Sequence, residues 1–255
     1  LMRKIEAVGK QLKEWDVEIY RGILTGFNEA FVIDGAKRDE LIKKDPKSAE
    51  IIKPILRGRD VQKYATNYAG LWLINSHNNP PVNIDEYQAL KEYLDGFYDK
   101  LEKRGDRGKT PYNLRNCAYL ADFEKPKIVW AELSDAQKFT YDDTGFFADK
   151  TLFFMRGENL KFLLAVLNSK LVFWYFNQIA ATSGVGTTMW QKAKLELLPI
   201  AVPKDEKPFI DLVDKILETK KTGGDTSELE REIDVMVYKL YNLTQEEIDI
   251  VEGIK

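Results

Sequence analysis

The sequence predicts an α+β fold in which a small mixed sheet packs on helices, with a helical appendage at the C-terminus. Three patterns support this. Short runs of β-branched and aromatic residues recur between residues 16 and 155, as in strands. The apolar stretch 158–178 has the length of a buried helix. After residue 204, apolar side chains repeat at the spacing of amphipathic helices.

These patterns divide the chain into three parts. Residues 1–15 repeat apolar side chains at helical spacing without a core of their own, so we expect a connector helix that continues from an upstream segment. Residues 16–203 form the main domain, and 204–255 form the helical region. Expected strands are 17–23, 30–34 (joined to the first by the turn 25–28), 71–75, 125–133, 138–141, 151–155 and 197–203. Expected helices are 38–44, 48–56, 84–104, 158–178, 208–221, 225–241 and a short one from 244.

Composition excludes several classes of protein. A hydrophobic content of 44% with 31% charged residues is that of a globular protein. The single cysteine, Cys117, excludes an internal disulfide, and the single histidine, His77, argues against His-rich metal sites and Ser/His triads. The apolar run 162–176 is too short to span a membrane, and no signal peptide is recognisable. We therefore expect a cytoplasmic protein without a membrane partner.

Charge is distributed unevenly along the chain. Residues 205–255 carry 14 acidic and 7 basic side chains, whereas residues 1–204 carry 27 acidic and 31 basic ones. Nucleic-acid affinity depends on the phosphates that are neutralised locally, so a net charge of −3 does not exclude it. We expect the acidic C-terminal region to face away from any polyanion.

The turn Arg57-Gly58-Arg59-Asp60 follows an apolar run and precedes Lys63 and Tyr64. Arginine forks suit phosphate oxygens or the O6/N7 edge of guanine, and a glycine permits close approach of the backbone. Asp60 would orient one of the arginines by a charge-assisted hydrogen bond. The alternative is a solvated turn with an internal Arg–Asp pair.

Two further segments have the composition of nucleic-acid contacts. Residues 100–127 hold eight basic and four acidic side chains, with Tyr112, Asn113 and Asn116 among the cations. Residues 181–192 combine two glycines with four hydroxyls, followed by Trp190 and Lys192. The alternatives are a solvated basic loop and a disordered connector.

No catalytic set is evident. Asn78-Asn79-Pro80-Pro81-Val82 lacks the aromatic residue and the glycine-rich cofactor loop of an adenine methyltransferase, so we interpret it as a loop. The segment 122–127 has the wrong spacing for a Mg²⁺ nuclease site, and Pro126 interrupts it. We expect neither a catalytic residue nor a bound cofactor or metal in this chain.

The ordered series of motifs resembles the TaqI-like C-terminal specificity domain over about residues 16–203. The segments that carry the resemblance are Ile19–Asp34, Ile51–Tyr64, Pro126–Trp130 and Ala165–Leu171. The resemblance implies the target-recognition module of a DNA adenine N6-methyltransferase or a type IIG restriction–modification enzyme, which binds double-stranded DNA. Its catalytic domain would lie elsewhere in the same parent polypeptide, with S-adenosylmethionine and, for cleavage, Mg²⁺.

The candidate DNA contacts fall into three groups. Expected base-edge contacts are Arg57, Arg59, Asn113 and Arg115. Expected phosphate contacts are Lys63, Arg104, Arg107, Lys109, Lys127, Lys192 and Lys194. Further candidates, from the resemblance and from the two loops, are Arg21, Thr25, Asn28, Tyr112, Ser183, Thr187, Thr188 and Trp190. The hypothesis requires the arginine turn, the basic loop and the hydroxyl-rich segment to converge on one concave side.

Two rival functions remain open. The acidic C-terminal helices could serve as a protein-interaction scaffold, or an unrecognised carboxylate pair could act on a small molecule. Binding that does not respond to salt would favour the first, and a deep polar pocket far from the basic loops would favour the second.

Overall fold

The computed structural model describes residues 1–180 and 186–254. In these ranges the α-helices are α1 (Met2–Val8), α2 (Asn28–Phe31), α3 (Gly35–Lys44), α4 (Gln88–Asp95), α5 (Tyr98–Lys103), α6 (Leu160–Leu167), α7 (Lys170–Ile179), α8 (Lys192–Leu195), α9 (Lys207–Lys221), α10 (Ser227–Leu240) and α11 (Gln245–Glu252). The strands are β1 (Lys10–Gln11), β2 (Val17–Arg21), β3 (Val32–Ile33), β4 (Ile52–Leu56), β5 (Val61–Gln62), β6 (Ala65–Thr66), β7 (Trp72–Ile74), β8 (Lys127–Ala131), β9 (Leu133–Ser134), β10 (Phe139–Asp142), β11 (Phe147–Ala148), β12 (Leu152–Gly157), β13 (Thr188–Met189) and β14 (Pro199–Ile200). The 3-10 helices are Leu12–Glu14, Pro46–Glu50, Gly58–Asp60, Ile84–Glu86 and Leu120–Glu124.

An antiparallel sheet in the order β10-β8-β12-β2 separates two hydrophobic cores. Successive side chains of a strand point to opposite faces. Ile128 and Trp130 of β8 therefore enter the core formed with the C-terminal helices, whereas Val129 and Ala131 enter the other core. Since both faces are covered, every residue of β8 is buried.

A second sheet, in the order β11-β4-β7-β3, belongs to the other core and is mixed. β4 pairs antiparallel with β7 but parallel with β11, so that Phe147 lies opposite Ile55 and Ala148 opposite Leu56. The parallel pairing places the turns that follow β4 and β11 at the same edge of the sheet.

The expected α+β class is confirmed: small sheets pack on helices, and the C-terminal region is helical. The C-terminal helices α9 and α10 share one core with α6 and α7. No helix among the described residues is long and apolar enough to cross a bilayer. The proposed boundary at residues 203/204 stays a prediction.

Two expected elements in the first half are wrong. Residues 52–56 form a strand and not a helix, because Ile52 and Pro54 pair with β7 and the apolar side chains enter a sheet core. Residues 17–34 are not a hairpin: β2 pairs with β12, whereas β3 pairs with β7 after a helical turn at Asn28–Phe31. In apolar runs as short as residues 52–56, periodicity does not distinguish a helix from a strand.

Three expected helices are shorter than the pattern indicates. The helix expected at 84–104 is interrupted at Tyr87 and at Gly96–Phe97. The helix expected at 158–178 breaks at Asn168–Ser169, where the Ser169 hydroxyl accepts a hydrogen bond from Val172 N and begins α7. In residues 1–15, only Met2–Val8 is α-helical, and β1 then pairs with β14.

Lys127 is an internal residue and not a phosphate contact. Its Nζ lies 2.5 Å from Asp142 Oδ2, and the two side chains are 0% and 3% exposed. Phe123 O accepts a second hydrogen bond from the ammonium group. Burial lowers the pKa of Lys127, and Asp142 acts in the opposite direction.

We expect Lys127→Met to lower the free energy of unfolding by about 3–5 kcal/mol, because it leaves the buried Asp142 carboxylate without its positive counter-charge. Lys138→Met is the control, since Lys138 pairs with the 70% exposed Asp135 and should cost less than about 1 kcal/mol. Urea denaturation measures both. Equal stability of the two variants would contradict the internal role.

Candidate functional site

A groove of about 1240 Å³ opens beside the two sheets. Its lining comes from six segments that are distant in sequence: 21–24, 57–62, 115–119, 131–138, 149–151 and Thr187. Four of them are turns or loops next to strand ends. The groove is larger than the pockets of about 300–1,000 Å³ that usually hold small ligands.

The floor of the groove consists of two turns held together by the parallel pairing of β4 and β11. Asp149 N donates to Leu56 O (2.9 Å), and Gly58 N donates to Thr151 Oγ1 (2.9 Å). The Thr151 hydroxyl in turn donates to Asp149 Oδ1. Burial raises the pKa of Asp149, and the hydrogen bonds from Thr151 act in the opposite direction.

The Arg57 side chain is held by Asp60. Its Nε lies 3.1 Å from Asp60 Oδ2 and its Nη2 2.9 Å from Asp60 Oδ1, a bidentate pair. Arg57 N also donates to Asp60 Oδ2 (2.8 Å), which closes the turn, and the pair raises the pKa of Arg57. One edge of the guanidinium is thus occupied, while 24% of the side chain stays exposed.

Arg21 is oriented in a similar way on the neighbouring segment. Its Nη2 donates to Glu132 Oε2 (2.7 Å), and its Nε donates to Lys150 O (3.0 Å). The next residue, Gly22, packs so tightly that an added Cβ would lie 1.8 Å from Asp149 O. A glycine is therefore required for the backbone to pass beside the floor.

Arg115 approaches from the basic loop at a third side. The loop is anchored at Tyr119, whose hydroxyl donates to Arg21 O (3.0 Å) and whose ring stacks on Tyr20 at 4.3 Å. Arg115 itself is exposed and lies 3.4 Å from Asp106 Oδ1.

A two-stranded ribbon, β9 paired with β13, forms the remaining wall and brings Thr187 to the groove. Trp190 anchors it: the indole is 1% exposed and stacks on Phe176 at 4.1 Å. Trp190 N donates to Glu132 O (2.7 Å), and Trp130 Nε1 donates to Trp190 O (2.9 Å).

The groove is cationic. Three carboxylates, Glu132, Asp135 and Asp149, face six basic side chains: Arg21, Arg57, Arg59, Arg115, Lys138 and Lys150. Arg59 and Lys150 are exposed, and within residues 1–180 and 186–254 neither side chain has an ion-pair partner. These two cations are available to a ligand without breaking an internal pair.

The structure brings five of the candidate residues into this groove: Arg21, Arg57, Arg59, Arg115 and Thr187. They come from the arginine turn, the basic loop and the late segment, so each of these three segments contributes at least one candidate residue to the same concave side. Ser183 lies outside the described residues.

Six other candidates are buried, and we no longer count them as contacts: Thr25, Arg104, Asn113, Lys127, Thr188 and Trp190. Arg104 illustrates the reason, because its guanidinium donates to Thr25 O and to Asn113 O and lies over the Phe31 ring at 4.4 Å. Burial lowers the pKa of Arg104 to about 10. Arg104 thus satisfies backbone carbonyl groups of the basic loop and is not available to a ligand.

The remaining candidates reach solvent but do not line the groove: Asn28, Lys63, Arg107, Lys109, Tyr112, Lys192 and Lys194. Several have other partners. Lys63 Nζ lies 2.7 Å from Glu230 Oε2, and Lys192 Nζ donates to Ile19 O (2.9 Å). The Tyr112 hydroxyl donates to Asp95 Oδ1.

Sequence reasoning missed the groove residues Gln62, Leu133, Lys138 and Lys150. Lys138 and Lys150 follow Asp135 and Asp149 in short segments between strands, and a cation in such a turn was the available signal. Nothing in the local pattern distinguishes Leu133 from a core residue.

Comparison with known proteins identifies the family of this chain. The model of the TaqI-like C-terminal specificity domain matches residues 53–200. A type II methyltransferase of Methanocaldococcus jannaschii, M.MjaIV, is 24% identical over 238 residues, which cover 88% of this chain and 78% of that protein.

Two solved structures share the fold. The type IIL restriction-modification enzyme MmeI, in complex with DNA, matches 96% of this chain with a TM-score of 0.66 and 12% identity. The type IIG restriction endonuclease BpuSI matches 92% with a TM-score of 0.56 and 15% identity. This chain spans 34% and 31% of their respective lengths, about a third of each.

We expect Gly22→Ala to destabilise the protein by about 1–3 kcal/mol, since the new methyl group overlaps the Asp149 carbonyl and must push the floor apart. Gly35→Ala is the control: its Cβ would meet no atom closer than 4.0 Å and should be neutral or slightly stabilising. Urea denaturation of both variants checks this. A Gly22→Ala variant as stable as the control would show that the floor is not tightly packed.

Proposed function

This chain belongs to the TaqI-like C-terminal specificity domain family, and from that membership we propose that it is the DNA target-recognition part of a restriction–modification enzyme. The groove is the proposed DNA-binding surface. The observation that carries the proposal is the convergence of six basic side chains from separate segments on one groove. Phosphate neutralisation supplies most of the affinity for DNA, so such a cluster suits a duplex.

The groove also offers side chains that distinguish bases. Arginine pairs with the O6/N7 edge of guanine, amides pair with adenine, and carboxylates accept from the cytosine amine. Arg57 is held by Asp60 with part of its guanidinium exposed, and Gln62 and Asn116 line the same groove. We assign base contacts to Arg57, Arg115, Gln62 and Asn116.

Phosphate contacts are assigned to the exposed cations. Arg59 and Lys150 occupy the groove itself. Arg59, which the sequence placed among the base-edge contacts, is assigned to a phosphate here because Asp60 orients Arg57 and not Arg59. Arg107 and Lys109 are exposed on the loop that leads to Arg115, so they suit flanking phosphates. The acidic helices α9–α11 contribute no residue to the groove.

Catalysis is assigned to another part of the parent polypeptide. We propose that a methyltransferase domain there flips the target adenine and methylates it from S-adenosylmethionine, with Mg²⁺ needed if the parent also cleaves DNA. In the described residues, no three His, Cys, Asp or Glu side chains come together as metal ligands, and the sequence has no glycine-rich cofactor loop. We propose a cytoplasmic location, because a single cysteine fits a reducing compartment.

We expect Arg59→Gln to weaken binding of all duplexes and to reduce the slope of log K against log salt by about 1, because one phosphate contact is lost. Arg3→Gln removes another exposed arginine, on α1 and outside the groove, and should leave both quantities unchanged. Fluorescence anisotropy with a duplex selected from a random pool, at several salt concentrations, measures both.

Three outcomes would contradict the proposal. If the chain does not bind duplex DNA at low salt, the proposed function is wrong. If selection from a random pool enriches no sequence motif, the chain binds DNA without sequence specificity. If the chain instead binds another protein with an affinity that does not depend on salt concentration, an interaction scaffold is favoured.

A further inference from the structure

The ribbon wall of the groove carries an apolar side chain that no packing explains. Leu133 is 54% exposed. Of the large apolar side chains that are exposed in the described part of the chain, it is the one that lines the groove. The other residues that the segment 132–138 and the late segment contribute to the lining are polar or charged: Glu132, Ser134, Asp135, Lys138 and Thr187. Because Leu133 belongs to neither hydrophobic core, shortening its side chain should weaken neither of them.

The side chain is presented in a defined direction. Leu133 pairs with Met189 and Ser134 with Thr188, and Ser134 is 8% exposed. Because successive residues of a strand face opposite sides, burial of Ser134 turns Leu133 outward. The buried Trp190 fixes the ribbon through its backbone hydrogen bonds to Glu132 and Trp130.

The two-stranded form and the chemistry of this wall fit one feature of duplex DNA. The major groove admits a two-stranded ribbon, and the thymine C5-methyl is the apolar group that it presents. The cations beside the ribbon supply the charge complementarity that a duplex requires. On the basis of the proposed function, we propose that Leu133 contacts a thymine methyl group and makes this chain selective for thymine at one position of its site.

The test replaces thymine by uracil, which removes the methyl group and leaves every hydrogen-bonding group in place. The 255-residue chain is titrated with a duplex of the sequence enriched from a random pool, and then with duplexes in which each thymine in turn is replaced. We expect one replacement to weaken binding about fourfold, the effect of one buried methyl group.

The Leu133→Ala variant should bind the enriched, thymine-containing duplex more weakly than the original chain does. Its affinity should no longer change when that one thymine is replaced by uracil. Ile250→Ala is the matched control, because Ile250 is also 54% exposed but lies on α11, outside the groove. It should keep the fourfold response. Thermal unfolding should show that both variants are folded, since neither side chain is buried.

Several results would overturn the proposal. One is an enriched sequence without thymine; another is a methyl response that persists in Leu133→Ala. Equal weakening of all duplexes by Leu133→Ala, with no response of the original chain to uracil, would indicate insertion between base pairs instead. Each of these leaves DNA binding intact, whereas absence of binding by the original chain refutes the proposed function itself.

Discussion

The parallel pairing of β11 with β4 is the constraint on which the groove depends. Two strands that run in the same direction end at the same edge, so the turns Arg57–Asp60 and Asp149–Thr151 emerge side by side. Gly22 then passes against the Asp149 carbonyl and adds the segment that carries Arg21. The backbone geometry alone thus makes neighbours of three segments that carry cations, at Arg57, Lys150 and Arg21.

The sheet behind the groove gives these turns a rigid support. β8 is buried on both faces and packs against both cores, and the chain continues from it into β9, which carries the ribbon wall. Carboxylates complete the arrangement: Asp60 holds Arg57, and Glu132 holds Arg21. Side chains that are oriented before binding lose less conformational entropy when a partner arrives.

Not every cation in a basic segment serves a ligand. Arg104 and Lys127 both lie between residues 100 and 127, yet one caps carbonyl groups inside the loop and the other neutralises the buried Asp142. The exposed Arg107 and Lys109 stand on the loop that Arg104 stabilises. A basic segment therefore indicates a polyanion-binding surface only through those of its cations that are exposed and not engaged inside the protein.

The sequence by itself determined the α+β class, most strands of the antiparallel sheet, the C-terminal helices and a pair between Asp60 and one of the two arginines of its turn. These depend on periodicity and on contacts between residues a few positions apart. Only the tertiary structure decided that Ile52–Leu56 is a strand, that Asn113 and Trp190 are buried, and that Leu133 is exposed on the wall. Those outcomes depend on partners far along the chain, such as Thr151 for Gly58 or Phe176 for Trp190, and local pattern carries no record of them.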